Sequence, residues 1–339
     1  MMTANCTNAP DAVPSDAGVA GIGVLLSFII TAAISLVISA SLVFQEAFRR
    51  PSSSSSSSNP SVLRRKLLNS YSDQQILTGI GIQSVGLAKV DTMVPYHFFL
   101  IWMLSLLSMA VHNATLLALA RDFRRDWVLR WMRQALMLAN LVLSCVYGVY
   151  VLRAVQRGIN DATYPISCVW NPDTPDGPQP SNTALSFAAT IAVIIGNVVI
   201  FAMATWYLHI RTRRFYAIFQ AIALVLMAAF AVGATVRVAY LADAFARGHP
   251  IKLRDSGERD WSFGQALSVG MLLLPLISVV EILRGEIKCA PPVAADEDDK
   301  GRLLGEDQEL RTNPQGGGRG AADFQPNPFW GSQTNLFRK

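Results

Sequence analysis

An all-α bundle of membrane-crossing helices is the fold class this sequence predicts, and three observations carry it. Of 339 residues, 51% are hydrophobic and only 16% are charged, whereas soluble domains carry nearer a quarter. The mean hydropathy is +0.32 in spite of long polar stretches. The apolar residues also fall in blocks of about 20, the length at which a helix crosses roughly 30 Å of hydrocarbon. A single soluble globule is excluded. The net charge of +5 does not mark a nucleic-acid binder, because the basic residues flank the apolar blocks instead of gathering on one face. They read as topology signals.

Seven segments fit a crossing helix: 20–44, 74–90, 97–120, 131–152, 185–210, 215–241 and 263–283. The second is the weakest, since its apolar part, 76–90, is short of the expected ~20 residues and holds Gln83, Gly79, Gly81 and Gly86. Lys and Arg stay preferentially on the cytoplasmic side, so charge arbitrates. Seven crossings with the N-terminus outside place 21 of the 29 basic residues inside and 7 outside; a failed second crossing gives 12 inside and 16 outside. Without the tail the splits are 13 to 7 and 12 to 8, so seven remains favoured. No cleavable signal is expected, because residues 1–19 hold no Lys or Arg and include Asp11 and Asp16. The first helix then acts as its own anchor.

The predicted organisation is an extracellular or luminal segment 1–19, a seven-helix transmembrane domain 20–283 with a Ser-rich cytoplasmic linker 45–73, and a disordered cytoplasmic tail 284–339. The serine run 52–58 between Pro51 and Pro60 reads as a flexible spacer. Arg49, Arg50 and Pro51 ahead of Ser52 also make a basophilic phosphorylation site, where phosphate would loosen the hold of Arg64, Arg65 and Lys66 on anionic lipid. Ser72 with Gln75 fits a capping box and predicts a helix start there. The three glycines then let this helix approach a neighbour closely. Residues 121–133 interleave arginines with Phe123, Trp127 and Trp131 and predict an interfacial stretch. Pro275 is expected to kink the last helix.

The chemistry is marked by what the spans omit. No Asp or Glu falls in the core of a span, and the four histidines do not converge, so neither a catalytic centre nor a metal site nor a cofactor is expected, and the chain reads as no enzyme. Asn113, Asn140, Asn197, Gln220 and Arg237 do lie at depth. Amides there commonly knit helices together, while Asn113, Asn140, Asn197 and Arg237 together are the candidates for a polar pocket. Arg237 also sits near the outer end of its span, where it can reach the headgroups or pair with Asp243.

Cys6 and Cys168 both fall outside in the seven-span arrangement, where an oxidising compartment permits a disulfide between them. Asn5 opens a glycosylation sequon with Cys6 and Thr7; the match at Asn113 lies inside a span. Cys289, just past the last helix, is a palmitoylation candidate. In the tail, Asp299 with Leu303 and Leu304 resembles an acidic dileucine signal read by clathrin adaptors, and Asn327, Pro328 and Phe329 resemble the Asn-Pro-Phe motif read by EH-domain proteins.

The residues from Ala20 to Val24 after an acidic segment, then Ser72 to Gln75, then Tyr96, His97 and Phe98 opening the third span, resemble a group of uncharacterised multi-pass membrane proteins of filamentous ascomycete fungi. The likeness covers about 16–283 and implies no activity, ligand or catalytic residue. In outline the chain also resembles seven-helix receptors. It lacks their Asp-Arg-Tyr triplet at 120–123, their Asn-Pro-x-x-Tyr motif near 278–283 and the usual cysteine at the outer end of the third span, so that likeness is topological. The expected function is a receptor-like or sensor protein of the plasma membrane, or of an endosomal or vacuolar membrane, with a tail controlling its trafficking. A membrane scaffold or sorting adaptor is the alternative, and a small-molecule transporter is disfavoured by the absent intramembrane acids.

Overall fold

Residues 6–48, 59–125, 127–159, 163–178, 183–209, 216–245 and 253–284 are described by a computed structural model, and among them there is no strand, only an isolated bridge between Val13 and Leu253. A short α1 (Ala17–Ala20) leads into α2 (Ile22–Phe48). Then come α3 (Asn59–Ala88), α4 (Pro95–Ala118), α5 (Ala120–Arg125), α6 (Trp127–Arg157), α7 (Thr183–His209), α8 (Tyr216–Leu241), α9 (Phe263–Gly270) and α10 (Leu274–Leu283). Five helical stretches are long and apolar enough to cross a membrane, by length and composition: those built on α2, α4, α6, α7 and α8.

The burial pattern is that of a bundle immersed in apolar surroundings. α4 is buried along its whole crossing window and is the least apolar of the five. It packs against α2, α3, α6, α7 and α8 and so forms the hub. The peripheral helices turn apolar side chains outward, with Ile195, Val199 and Trp206 on α7 and Ile222, Val225 and Val232 on α8 more than half exposed. Water would penalise so continuous an apolar exterior, whereas lipid tolerates it.

α3, which carries the second expected span, is not among the five. It is 30 residues long, or about 45 Å at 1.5 Å per residue. Ser72, Gln75 and Gln83 face the interior while Leu77 and Val85 are exposed. Averaged hydropathy therefore understates the apolarity of its outer face. The helix start expected at Ser72 is overturned: α3 already runs from Asn59, with Pro60 in its first turn, where a missing N–H is harmless. Ser72, far from capping, is fully buried and its Oγ has no hydrogen-bond partner. Gly79 does serve close approach, since a Cβ there would sit 2.5 Å from Ser108 Oγ of α4. Gly86 abuts Tyr147 in the same way, whereas Gly81 faces open space.

The last segment is broken. A 3-10 turn at Met271–Leu273 separates α9 from α10, and Leu274 N–H donates to the Met271 carbonyl. Pro275 cannot donate to that carbonyl four residues back, which accounts for the tightened turn just ahead of it. α9 packs on α2 and α10 on α3.

Two ends of the bundle are distinct. At one end gather the segment before α2, the turn between α3 and α4, and the loops that follow α6 and α8. Asp16 pairs with Lys89 at 2.8 Å, Ile166 N donates to Met93 O at 2.7 Å, and Arg254 N donates to Val13 O at 2.9 Å. This is the capped end. At the other, basic end, Arg64 bonds Gln45, Arg65 pairs with Asp122, Arg133 reaches Asn69 and Asp73, and Tyr216 and Gln220 both donate to the Leu117 carbonyl. Arg133 is thereby a buried clamp between α3 and α6, stacked 4.9 Å over Phe123, and not the headgroup anchor expected for 121–133.

Candidate functional site at the capped end

The N-terminal segment is held across the capped end by several independent ties. Cys6 and Cys168 are bonded, with Cα atoms 5.5 Å apart. Cys168 lies in a 3-10 turn at Ile166–Trp170, which Arg157 secures by donating to the carbonyls of Cys168, Val169 and Asn171. Gly158 leaves α6 at φ 66, a conformation that suits glycine, and a Cβ there would strike the Gly177 carbonyl. Arg254 Nε donates to Ala12 O at 2.9 Å. Asp255, in the same loop, is held below the ordinary carboxylate range first by the Ser15 hydroxyl and then by the Gly257 amide.

Beneath this cover lies a vestibule of about 700 Å³, lined by residues 8–10 and 12–17 of the N-terminal segment and by Lys89, His97, Thr163 and Arg254. A second cavity of about 360 Å³ runs between α2 and α3 as far as Ser268 and Met271. Asp16 and Lys89 line both, so their ion pair stands where the two adjoin.

Behind the vestibule is a buried carboxylate. Glu258 is 0% exposed; its Oε1 is 2.7 Å from His97 Nε2 and its Oε2 accepts from the Tyr96 hydroxyl at 2.9 Å. The same tyrosine oxygen accepts from Asp243 N, and the Glu258 carbonyl accepts from Ile22 N. Asp243 in turn pairs with Arg259 at 2.8 Å. The loop following α8 is therefore fastened to the start of α4 through the Glu258 carboxyl, by bonds stronger than neutral ones where the carboxyl is ionised, and to the start of α2 by a main-chain bond.

A polar seam continues down the hub. Ser105 bonds Ser144 at 2.9 Å. Deeper, Ser108 Oγ donates to the Gln75 carbonyl, lies 2.8 Å from His112 Nε2 and accepts from Asn140. Gln83 donates to Asn140 Oδ1, and Tyr147 donates to the Gln83 carbonyl. Several buried atoms on or beside this seam have no hydrogen-bond partner: His112 Nδ1, Gln83 Oε1, Asn113 Oδ1, Gln74 Oε1 and Gln75 Nε2.

The four residues expected to form a polar pocket are not gathered into one, which corrects that expectation. Asn140 is in the seam; Asn113 contacts Met227 Sδ at 3.5 Å; Asn197 donates to the Val193 carbonyl of its own helix. Arg237 is exposed on α8, on the face turned away from the bundle, and Asp243 is paired with Arg259 instead. None of the four lines the vestibule or the cleft. Helix rotation sets this outcome, because Val238, one position on, takes the buried face. Asn5, Ser52, Cys289 and the tail residues Asp299, Leu303, Leu304, Asn327, Pro328 and Phe329 lie outside the described residues. Among the described residues no group of three or more His, Cys, Asp or Glu is placed to hold a metal ion.

Comparison with known proteins returns nothing: no family model, no curated protein and no solved structure matches the chain.

Proposed function

We propose that the chain is a receptor-like sensor of a cell-surface or endosomal membrane, of fungal type, with all seven helical passes crossing the bilayer, the N-terminus outside and the C-terminal tail in the cytosol. Three features support the topology. α3 reaches from the basic end to the capped end, as Arg65–Asp122 and Lys89–Asp16 mark its two limits. α9 and α10 together run beside α2 and α3. The disulfide and the sequon belong to an oxidising, luminal side and the arginine-rich end to the cytosolic one.

The sensing role rests on one observation: a vestibule under a covalently tied cover adjoins, at an ion pair, a cleft between two helices. A ligand that enters separates or reorients Asp16 and Lys89 and so shifts α2 against α3, whose other ends carry the cytosolic arginines. The tail with its dileucine and Asn-Pro-Phe signals would then report occupancy to clathrin adaptors or EH-domain proteins. The test is to replace residues 20–283 by an unrelated multi-pass anchor and follow tail phosphorylation and surface residence under nutrient or cell-wall challenge. Loss of the response supports a sensor. Full retention overturns it in favour of a scaffold or sorting adaptor.

A further inference from the structure

The cleft between α2 and α3 has a definite chemical character, and the inference drawn from it rests on the sensor reading above. Measured along α3 from Lys89 to Gln74, it spans 15 residues, or about 22 Å. Its middle is apolar, with Val24 and Phe28 from α2 and Ile82 and Val85 from α3. The end remote from the vestibule is polar, with Ser27, Thr31, Gln74, Gln75 and Thr78.

The hydrogen-bond inventory at that remote end is specific. The Ser27 hydroxyl donates to the Val24 carbonyl at 2.8 Å, Thr31 to Ser27 at 2.7 Å and Thr78 to Gln74 at 2.9 Å. Their protons are engaged by their own helices, and each oxygen keeps lone pairs. Gln75 is 2% exposed and its Nε2 has no partner; Gln74 Oε1 has none either. The unpartnered amide atoms at this end are thus a donor, Gln75 Nε2, and an acceptor, Gln74 Oε1, and the cleft lining holds no titratable group there. Its two formal charges, Asp16 and Lys89, sit at the vestibule mouth and neutralise each other at 2.8 Å.

We propose that this cleft binds a neutral lipid alcohol, with its hydroxyl donating to Gln74 Oε1 and accepting from Gln75 Nε2 and its apolar body lying along Val24, Phe28, Ile82 and Val85. A hydroxyl carries the one donor and the acceptor capacity that the two amides lack. A hydrocarbon would leave the buried amides unpaired, which is costly. A charged amphiphile would bring an ion to a polar end that offers no counter-charge. A sterol and a long straight-chain alcohol share the required chemistry.

The full chain in phosphatidylcholine nanodiscs decides this. Four probes are titrated and followed by thermal protection and by photo-crosslinking of a diazirine analogue: cholesterol, 1-octadecanol, cholesterol methyl ether and cholesterol sulfate. Saturable binding of one or both alcohols is expected, about tenfold weaker for the methyl ether and for Gln75→Leu, the loss of roughly one buried hydrogen bond. Preference for cholesterol over octadecanol, or the reverse, identifies the body of the ligand. Ile82→Trp, which fills the cleft and leaves the amides in place, abolishes binding and labelling while a folded melting transition persists. Sulfate binding as tightly as the free sterol, or alcohol binding unaffected by Ile82→Trp, overturns the proposal. Alcohol binding without any tail response leaves the ligand class standing and removes the sensor. A tail response to another molecule, with no alcohol binding, does the opposite.

Discussion

The capped and basic ends of the bundle are both rich in charge, yet they use it differently. At the basic end the ion pairs are inter-helix clamps, as with Arg133 on Asp73 and Arg65 on Asp122. At the capped end the charges surround space: Glu258, His97, Asp16 and Lys89 border or back two cavities beneath a tethered segment. One end holds helices in register while the other holds a volume open.

The largest test of that contrast is Glu258→Leu. His97 and Tyr96 then lose a buried partner, and the melting free energy in detergent falls by about 3–5 kcal/mol. The double variant Glu258→Leu with His97→Leu recovers much of it, because an apolar pair of similar volume replaces a buried hydrogen-bonded one. No recovery would place the loss on the Tyr96 hydroxyl, which loses its carboxylate partner in both variants. Next comes Cys6→Ser, expected to cost about 2–4 kcal/mol and to speed protease cleavage between residues 6 and 16 without altering the basic end. Smaller still is Tyr216→Phe at the basic end. It removes the 2.8 Å bond to the Leu117 carbonyl, for about 1 kcal/mol, and leaves alcohol protection in the α2–α3 cleft unchanged. The smallest effect concerns Asp255. Its carboxyl is depressed in the folded chain by Ser15 and Gly257, so its contribution is present above the ordinary carboxylate range and is lost as pH falls through the depressed value. Ser15→Ala should flatten the acid limb of cover loosening, read by hydrogen exchange at residues 13–15, and leave neutral pH behaviour as it was.

The long helices were legible from the apolar blocks, because lipid imposes a length on each crossing. α3 was legible only as a weak segment, since Gln75 and Gln83 lower its average while facing inward. Its true start was hidden because Ser72 and Gln75 imitate a local cap, and local signatures yield to tertiary packing. Glu258 was missed entirely. It lies in a loop among Arg254, Asp255 and Arg259 and reads as solvated, while its partner His97 is 161 residues away. The pairing of Arg133 with Asp73 was out of reach for the same reason. A carboxylate in a short loop opposite a histidine at a helix start was the one available hint. The proposed four-residue pocket failed because depth in a span fixes a residue's level and leaves its rotation about the helix axis undetermined.

The bond between Cys6 and Cys168 closes a covalent ring of chain that passes through α2, α3, α4 and α6. A single cut anywhere on that ring, the serine run included, leaves both fragments joined. Such a nicked protein would migrate as one species on a gel until a thiol is added, and only then part into two.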